Sequence, residues 1–176
     1  MSNPHTFSDF GDYTPEDMSQ MAAQLVERLS LQSDSALQLG DAVGFSDEFF
    51  DASYTLGVRY YANQQYDKAH ELFKLLCTLQ PLNARNFKAW GANYLGKQDY
   101  ASAVRAYGIA YLMSATDADT SFYLGQAHYF LKDYDEARGH LRFAQEMARR
   151  NPTLWPQIEQ WSAQLLERIE SKSSSS

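Results

Sequence analysis

The sequence predicts an all-α fold of stacked, antiparallel helix pairs, on three observations. The first is self-similarity at an offset of 34 residues: Gly57, Gly91 and Gly125 share one register. Each is preceded by a large residue (Leu56, Trp90, Leu124) and followed three positions on by Tyr60, Tyr94 or His128. The second is the continuation of that register through Tyr66, Tyr100 and Tyr134, then Ala69, Ala103 and Ala137, then Phe73, Tyr107 and Leu141. The third is helical spacing of apolar residues on both sides of the repeats. Met18, Met21, Ala22, Leu25 and Leu29 precede them, and Ile158, Trp161, Leu165 and Ile169 follow.

Period and residue types together match the tetratricopeptide pattern, with Pro81 closing the first unit. Its chemistry is close packing: Gly and Ala stand where helix backbones approach, and the large residues fill the space around them. One unit leaves an apolar face uncovered. Three units therefore predict a right-handed solenoid with a concave inner surface, between N-terminal helices and a C-terminal capping helix.

The elements follow from local signals. Residues 1–12 are expected to be disordered and 13–45 to form a helical region. Thr14-Pro15-Glu16-Asp17 reads as a helix start, with a capping hydroxyl, a proline at the first helical position and acids in the first turn. That helix covers 14–31, and a shorter one lies between Ser35 and Val43 before Gly44. The three repeats occupy 46–150. Ser46 is the N-cap of a helix over 47–63, and a second helix runs from Tyr66 to Leu79, stopping before Pro81. The next units span 84–115 and 118–149, with Lys97-Gln98-Asp99 and Lys132-Asp133 as polar turns. In the capping region, 151–170, Thr153 begins the helix. The Ser-rich end, 171–176, is expected to be a disordered tail.

Composition excludes several functions. Aromatics make up 14% of the 176 residues, 12 of them tyrosines, which rules out a disordered polar chain. A formal net charge of −7 without a Lys/Arg cluster argues against nucleic acid or an anionic membrane as partner. No stretch is apolar enough to span a bilayer, and the N-terminus lacks a secretory signal, so a cytosolic protein is expected. The single Cys77 lies in the apolar run Leu72 to Leu79 and reads as a small buried side chain. His5, His70, His128 and His140 show no metal-ligand spacing; His128 stands where the other repeats carry tyrosine and reads as a packing residue. No phosphate-binding or nucleophile-elbow motif occurs. No catalytic residue, cofactor or metal is expected.

Binding is expected on the first helix of each unit. The side facing the second helix carries the repeat motif, and the opposite side becomes the concave wall on stacking. That wall comprises Asp51, Tyr54, Thr55, Val58, Tyr61 and Ala62 in the first unit. The second contributes Arg85, Lys88, Ala89, Ala92, Leu95 and Gly96, and the third Asp119, Phe122, Tyr123, Gln126, Tyr129 and Phe130. Large rings separated by small residues suit pockets for the apolar side chains of an extended peptide. The same rings could instead pack between adjacent helices. The Lys/Asn/Arg clamp by which other tetratricopeptide proteins hold an acidic carboxyl-terminal tail is missing at Tyr54, Val58, Ala89, Asp119 and Tyr123.

Residues 35–150 carry a more specific resemblance. Tyr54-Thr-Leu-Gly57-Val-Arg-Tyr-Tyr61, then Gln65-Tyr66-Asp-Lys-Ala69, then Leu72-Phe73-Lys-Leu-Leu-Cys77 before Pro81 resemble the class II chaperones of bacterial type III secretion. The likeness continues through Gly91, Tyr100, Ala103, Tyr107, Gly125 and Ala137; Gln64 departs from it, standing where a turn glycine is usual. The resemblance implies a chaperone of the bacterial cytoplasm that holds an extended segment of hydrophobic translocator proteins in its groove without ATP. By position Tyr54, Val58 and Tyr61 match the family's groove residues, and Ala92, Leu95 and Phe122 continue that wall; Lys88, Tyr123 and Tyr129 complete the expected site. It further implies homodimers through N-terminal helices, for which Met18, Met21, Leu25 and Leu29 are candidates, and in some members a transcriptional regulator as partner. Packing of those four residues on the first repeat explains them equally well. The alternative function is a tetratricopeptide adaptor scaffolding soluble subunits of a bacterial assembly.

Overall fold

The computed structural model describes residues 44–173, and those residues form α-helices joined by short turns, with no strand. The expected N-terminal helices over 14–31 and 35–43, the disordered 1–12, and Met18, Met21, Leu25 and Leu29 lie outside the described residues. Compactness divides the chain between Asn93 and Tyr94, inside a helix rather than at a repeat boundary.

In the first unit, α1 (Asp47–Ala62) starts where the sequence places it. Ser46 is extended, its Oγ accepts from the Phe49 N–H at 3.4 Å, and Asp47 and Glu48 fill the first turn. The chain reverses through Gln64 into α2 (Tyr66–Leu79), whose Ala69, Leu72, Phe73, Leu75, Leu76, Cys77 and Leu79 are buried. Burial pushes the Cys77 thiol well above its ordinary range, in line with a structural cysteine. After Pro81 the chain enters α3 (Ala84–Gly96). Asn86, buried in its first turn, ties the two helices together: its Nδ2 donates to the Leu76 carbonyl at 3.3 Å and to Gln80 Oε1 at 3.0 Å. The Leu76 carbonyl also accepts the Gln80 N–H at 2.8 Å, so Asn86 joins the C-terminal turn of α2 at a carbonyl that the cap already uses, and its second bond fixes the Gln80 side chain. Phe49 and Phe50 of α1 close the core over Phe73, Leu75, Leu76 and Leu79.

In the second unit, α4 (Tyr100–Met113) packs on α5 (Ala118–Phe130), α5 on α6 (Tyr134–Arg150), and α6 on α7 (Ile158–Ser173). Asp99 and Asp117 cap α4 and α5 through their side chains. The core joins Phe122 with Ala137, Leu141, Ala144 and Ala148 of α6 and Ile158, Leu165 and Ile169 of α7.

Two expectations need correction at the C-terminal end. The capping helix begins at Ile158, not Thr153, and residues between Asn151 and Gln157 form turns. Pro156 accounts for the loss of the expected start: its ring disfavours the α conformation at Trp155, so a helix begun at Thr153 cannot run through that residue. At its far end the helix runs through Ser173, taking in Ser171–Ser173 of the expected disordered tail. The last turn is anchored, with Ser171 Oγ donating to the Arg168 carbonyl at 3.0 Å and Lys172 Nζ to the Tyr134 hydroxyl at 3.3 Å.

The turn inside each repeat carries one shared strain. Gln64, Gln98 and Lys132, spaced at the repeat period, take φ values of 58°, 60° and 65°, the left-handed region that favours glycine. A side chain there costs about 1–2 kcal/mol and glycine about 0.5–1 kcal/mol of unfolded-state entropy, so glycine wins narrowly. Lys132→Gly is expected to raise stability by about 0.5 kcal/mol, read as a higher urea midpoint at unchanged slope.

Candidate peptide-binding surfaces

On α1, the side facing α2 is set by Ser53 and Gly57, both buried. Tyr54, Val58 and Tyr61 follow at i, i+4 and i+7, about 100° round the helix, and form a stripe that this packing leaves free. Val58 is 40% exposed and Tyr61 36%. Tyr54 is half-buried and held from two sides. Its ring lies 6.1 Å from that of Phe73 in the core, and the Arg85 guanidinium stands 3.7 Å over its centroid. Arg85 is itself oriented by Asp51, Nη1 to Oδ1 at 3.2 Å. Tyr61 leans on Tyr66, 5.8 Å between centroids, and burial followed by that neighbour pushes its phenol above the ordinary value. The hydroxyl therefore stays neutral and available for hydrogen bonding. Lys88 and Ala92 are half-buried on α3. Asn93 is fully buried, and neither polar atom of its amide has a partner among the described residues.

In the second unit, Leu95 is half-buried at the end of α3. The other predicted residues there meet α7. Phe122 is only 4% exposed, its ring 5.1 Å from Tyr123 and 5.7 Å from Trp161. The expectation of an open wall is thus corrected at this position: Phe122 is a floor, because the capping helix must cover the last repeat's apolar face. Tyr123 stacks on Tyr107 at 5.7 Å and 15°. Tyr129 packs beside Tyr134 at 6.0 Å with the Lys172 ammonium 4.8 Å from its centroid, so it too belongs partly to the α7 contact. Hydrogen bonds to Tyr129 and Tyr134 hold that ammonium's pKa above its usual value.

Between α5 and α7 remains a cavity of about 360 Å³. Phe122, Tyr123, Trp161 and Leu165 make its apolar lining, and Gln126, Gln164 and Arg168 add polar groups. Sequence reasoning placed Trp161 in the buried stripe of the capping helix. Ile158, Leu165 and Ile169 are buried, but Trp161 is 37% exposed. The available signal was its helical register with Gln164 and Arg168, three and seven residues on, which makes a polar-edged face instead of a core stripe.

His128 and His140 are packing residues. His128 Nδ1 lies 3.0 Å from Asp133 Oδ2, and its ring stacks on His140 at 5.7 Å. Burial, then the His128 charge, lowers the His140 pKa, which keeps this ring neutral. No group of three or more His, Cys, Asp or Glu among the described residues could hold a metal ion. None of the described helices is long and apolar enough to cross a membrane.

Comparison with known proteins fits this geometry. The tetratricopeptide repeat family matches residues 51–83. Low calcium response locus protein H of Yersinia pseudotuberculosis is 24% identical over 130 residues, 72% of this chain and 77% of the relative. A type III secretion complex from Aeromonas hydrophila shares the fold, with a TM-score of 0.76 over 84% of this chain and 98% of that chain at 22% identity. PcrH of Pseudomonas aeruginosa, solved with the chaperone binding region of PopB, has a TM-score of 0.66 and 26% identity over 70% of this chain and 98% of that chain.

Proposed function

We infer that this chain, a class II tetratricopeptide-repeat chaperone of bacterial type III secretion translocators, holds an extended segment of a hydrophobic translocator against the Tyr54/Val58/Tyr61 face of α1 in the bacterial cytoplasm. Holding the segment keeps the client soluble and competent for secretion. The observation that carries this reading is the Tyr54/Val58/Tyr61 stripe on one rigid helix, in which Val58 and Tyr61 are exposed and Tyr54 lies half-buried beside them. A structured protein gains from leaving such side chains exposed when a partner covers them. A membrane-seeking client gains equally, since its apolar side chains leave water without meeting one another.

Tyrosine suits the task, offering ring area at little entropy cost and a hydroxyl for the peptide backbone. The chemistry required is binding alone, so no catalytic role is assigned to any residue; Lys88 and Ala92 would flank the wall in the first unit, and Leu95, Tyr123 and Tyr129 are proposed as contacts of the second unit by itself. Co-expression tests the reading. A hydrophobic translocator from the same secretion system should move from the insoluble to the soluble fraction and co-purify with the chain. A translocator that remains insoluble in its presence overturns it.

A further inference from the structure

We propose that the cavity between α5 and α7 is a second recognition site, which reads a bulky apolar side chain of an extended client segment together with an Asp or Glu two residues away. This rests on the reading of the chain as a holder of extended client segments, and it adds a chemical preference that the Tyr54/Val58/Tyr61 stripe does not have.

Size comes first. A volume of about 360 Å³ equals the liquid share of about a dozen waters, enough for one large side chain and the backbone beside it. The floor of Phe122, Tyr123 and Leu165 is apolar, and Trp161 offers a ring face at its side. Polar groups come second. The Gln126 and Gln164 amides each carry donors and an acceptor, matching the N–H and C=O groups that an extended backbone must satisfy.

Charge makes the site selective. Arg168 stands on the same face of α7 as Trp161 and Gln164, no carboxylate lines the cavity, and none pairs with its guanidinium among the described residues. An arginine fork at the lip of an apolar cavity matches an incoming carboxylate. Spacing follows from strand geometry: neighbouring side chains of an extended peptide point to opposite sides, so an anchor in the cavity and a carboxylate on Arg168 belong two residues apart.

The test uses the full chain and short blocked peptides in a Gly/Ser background, carrying Phe-Ser-Asp, Phe-Ser-Asn or Ala-Ser-Asp. Binding is read from the Trp161 indole resonance, assigned with Trp161→Phe. Phe-Ser-Asp should shift it, with Phe-Ser-Asn binding about fivefold more weakly at low salt and Ala-Ser-Asp not detectably. Arg168→Gln should erase the preference for Asp over Asn while leaving the shift by Phe-Ser-Asn in place. Equal binding of the Asp and Asn peptides, or a preference that survives Arg168→Gln, overturns the proposal. A Trp161 resonance that moves when the chain alone is diluted assigns the cavity to a second copy and overturns it as well. Translocator co-purification with the parent chain is measured in parallel: its failure alongside selective peptide binding counts against the chaperone reading alone, and its success alongside unselective peptides counts against the cavity alone.

Discussion

Val58→Ala combined with Tyr61→Ala is expected to lower client retention by about 100-fold while moving the thermal midpoint by no more than about 2 °C. The stripe explains both halves of that result. Val58 and Tyr61 are 40% and 36% exposed, so truncating them removes little from the protein's own core. A peptide covering them would bury both, and two central contacts at about 1–2 kcal/mol each amount to roughly two orders of magnitude in affinity. Tyr54 does not allow this separation. Its ring touches Phe73 and carries the Arg85 guanidinium, so Tyr54→Ala would loosen the first repeat as well as the wall. Pull-down of a co-expressed translocator, with circular dichroism melts of both proteins, makes the measurement. A folded double variant that still retains its client would move the binding site off α1.

Position within the repeat decided how much could be read from sequence alone. The helix pairs were legible because their determinants are local and periodic: Ser46 caps α1, Pro81 follows α2, and small residues recur where backbones cross. The Tyr54/Val58/Tyr61 stripe was legible for the same reason, being fixed by register on one helix. Other features depend on packing between distant segments. Phe122 lies beneath Trp161, 39 positions later in the chain, and no period links the repeats to the capping helix. The Arg168 cavity escaped notice on the same account, since each of its two walls is unremarkable by itself. Asp51 and Arg85 are an intermediate case. They hold the same place in successive repeats with opposite charge, yet the sequence reading drew from this neither their ion pair nor the stacking of Arg85 on Tyr54.

Gly57→Ala and Gly125→Ala are both expected to destabilise the protein, and the two should differ in whether a second substitution rescues them. Alanine would gain about 1 kcal/mol of helix propensity at either site, so a net loss means that packing outweighs it. At Gly57 an added Cβ would lie 2.7 Å from Phe73 Cε1 and 3.1 Å from Cζ, well inside contact distance. The obstacle is a side chain, fully enclosed in the first unit's core, and the expected cost is about 1–3 kcal/mol. At Gly125 the Cβ would meet Leu141 Cγ at 2.9 Å but also the Ala137 carbonyl oxygen at 3.2 Å. Backbone cannot rotate away, so α5 and α6 must part, and the cost should reach about 3 kcal/mol, a large share of the 5–15 kcal/mol typical of a domain. Phe73→Leu opens space for the Gly57→Ala methyl, and that pair should cost about 1 kcal/mol less than the sum of its parts. Leu141→Ala removes one obstacle at Gly125 and leaves the carbonyl, so its pair with Gly125→Ala should recover little. Urea midpoints of the four single and two double variants decide the matter. Equal rescue in both pairs would mean that the helices of the third repeat can shift, and that their spacing is not set by the glycine.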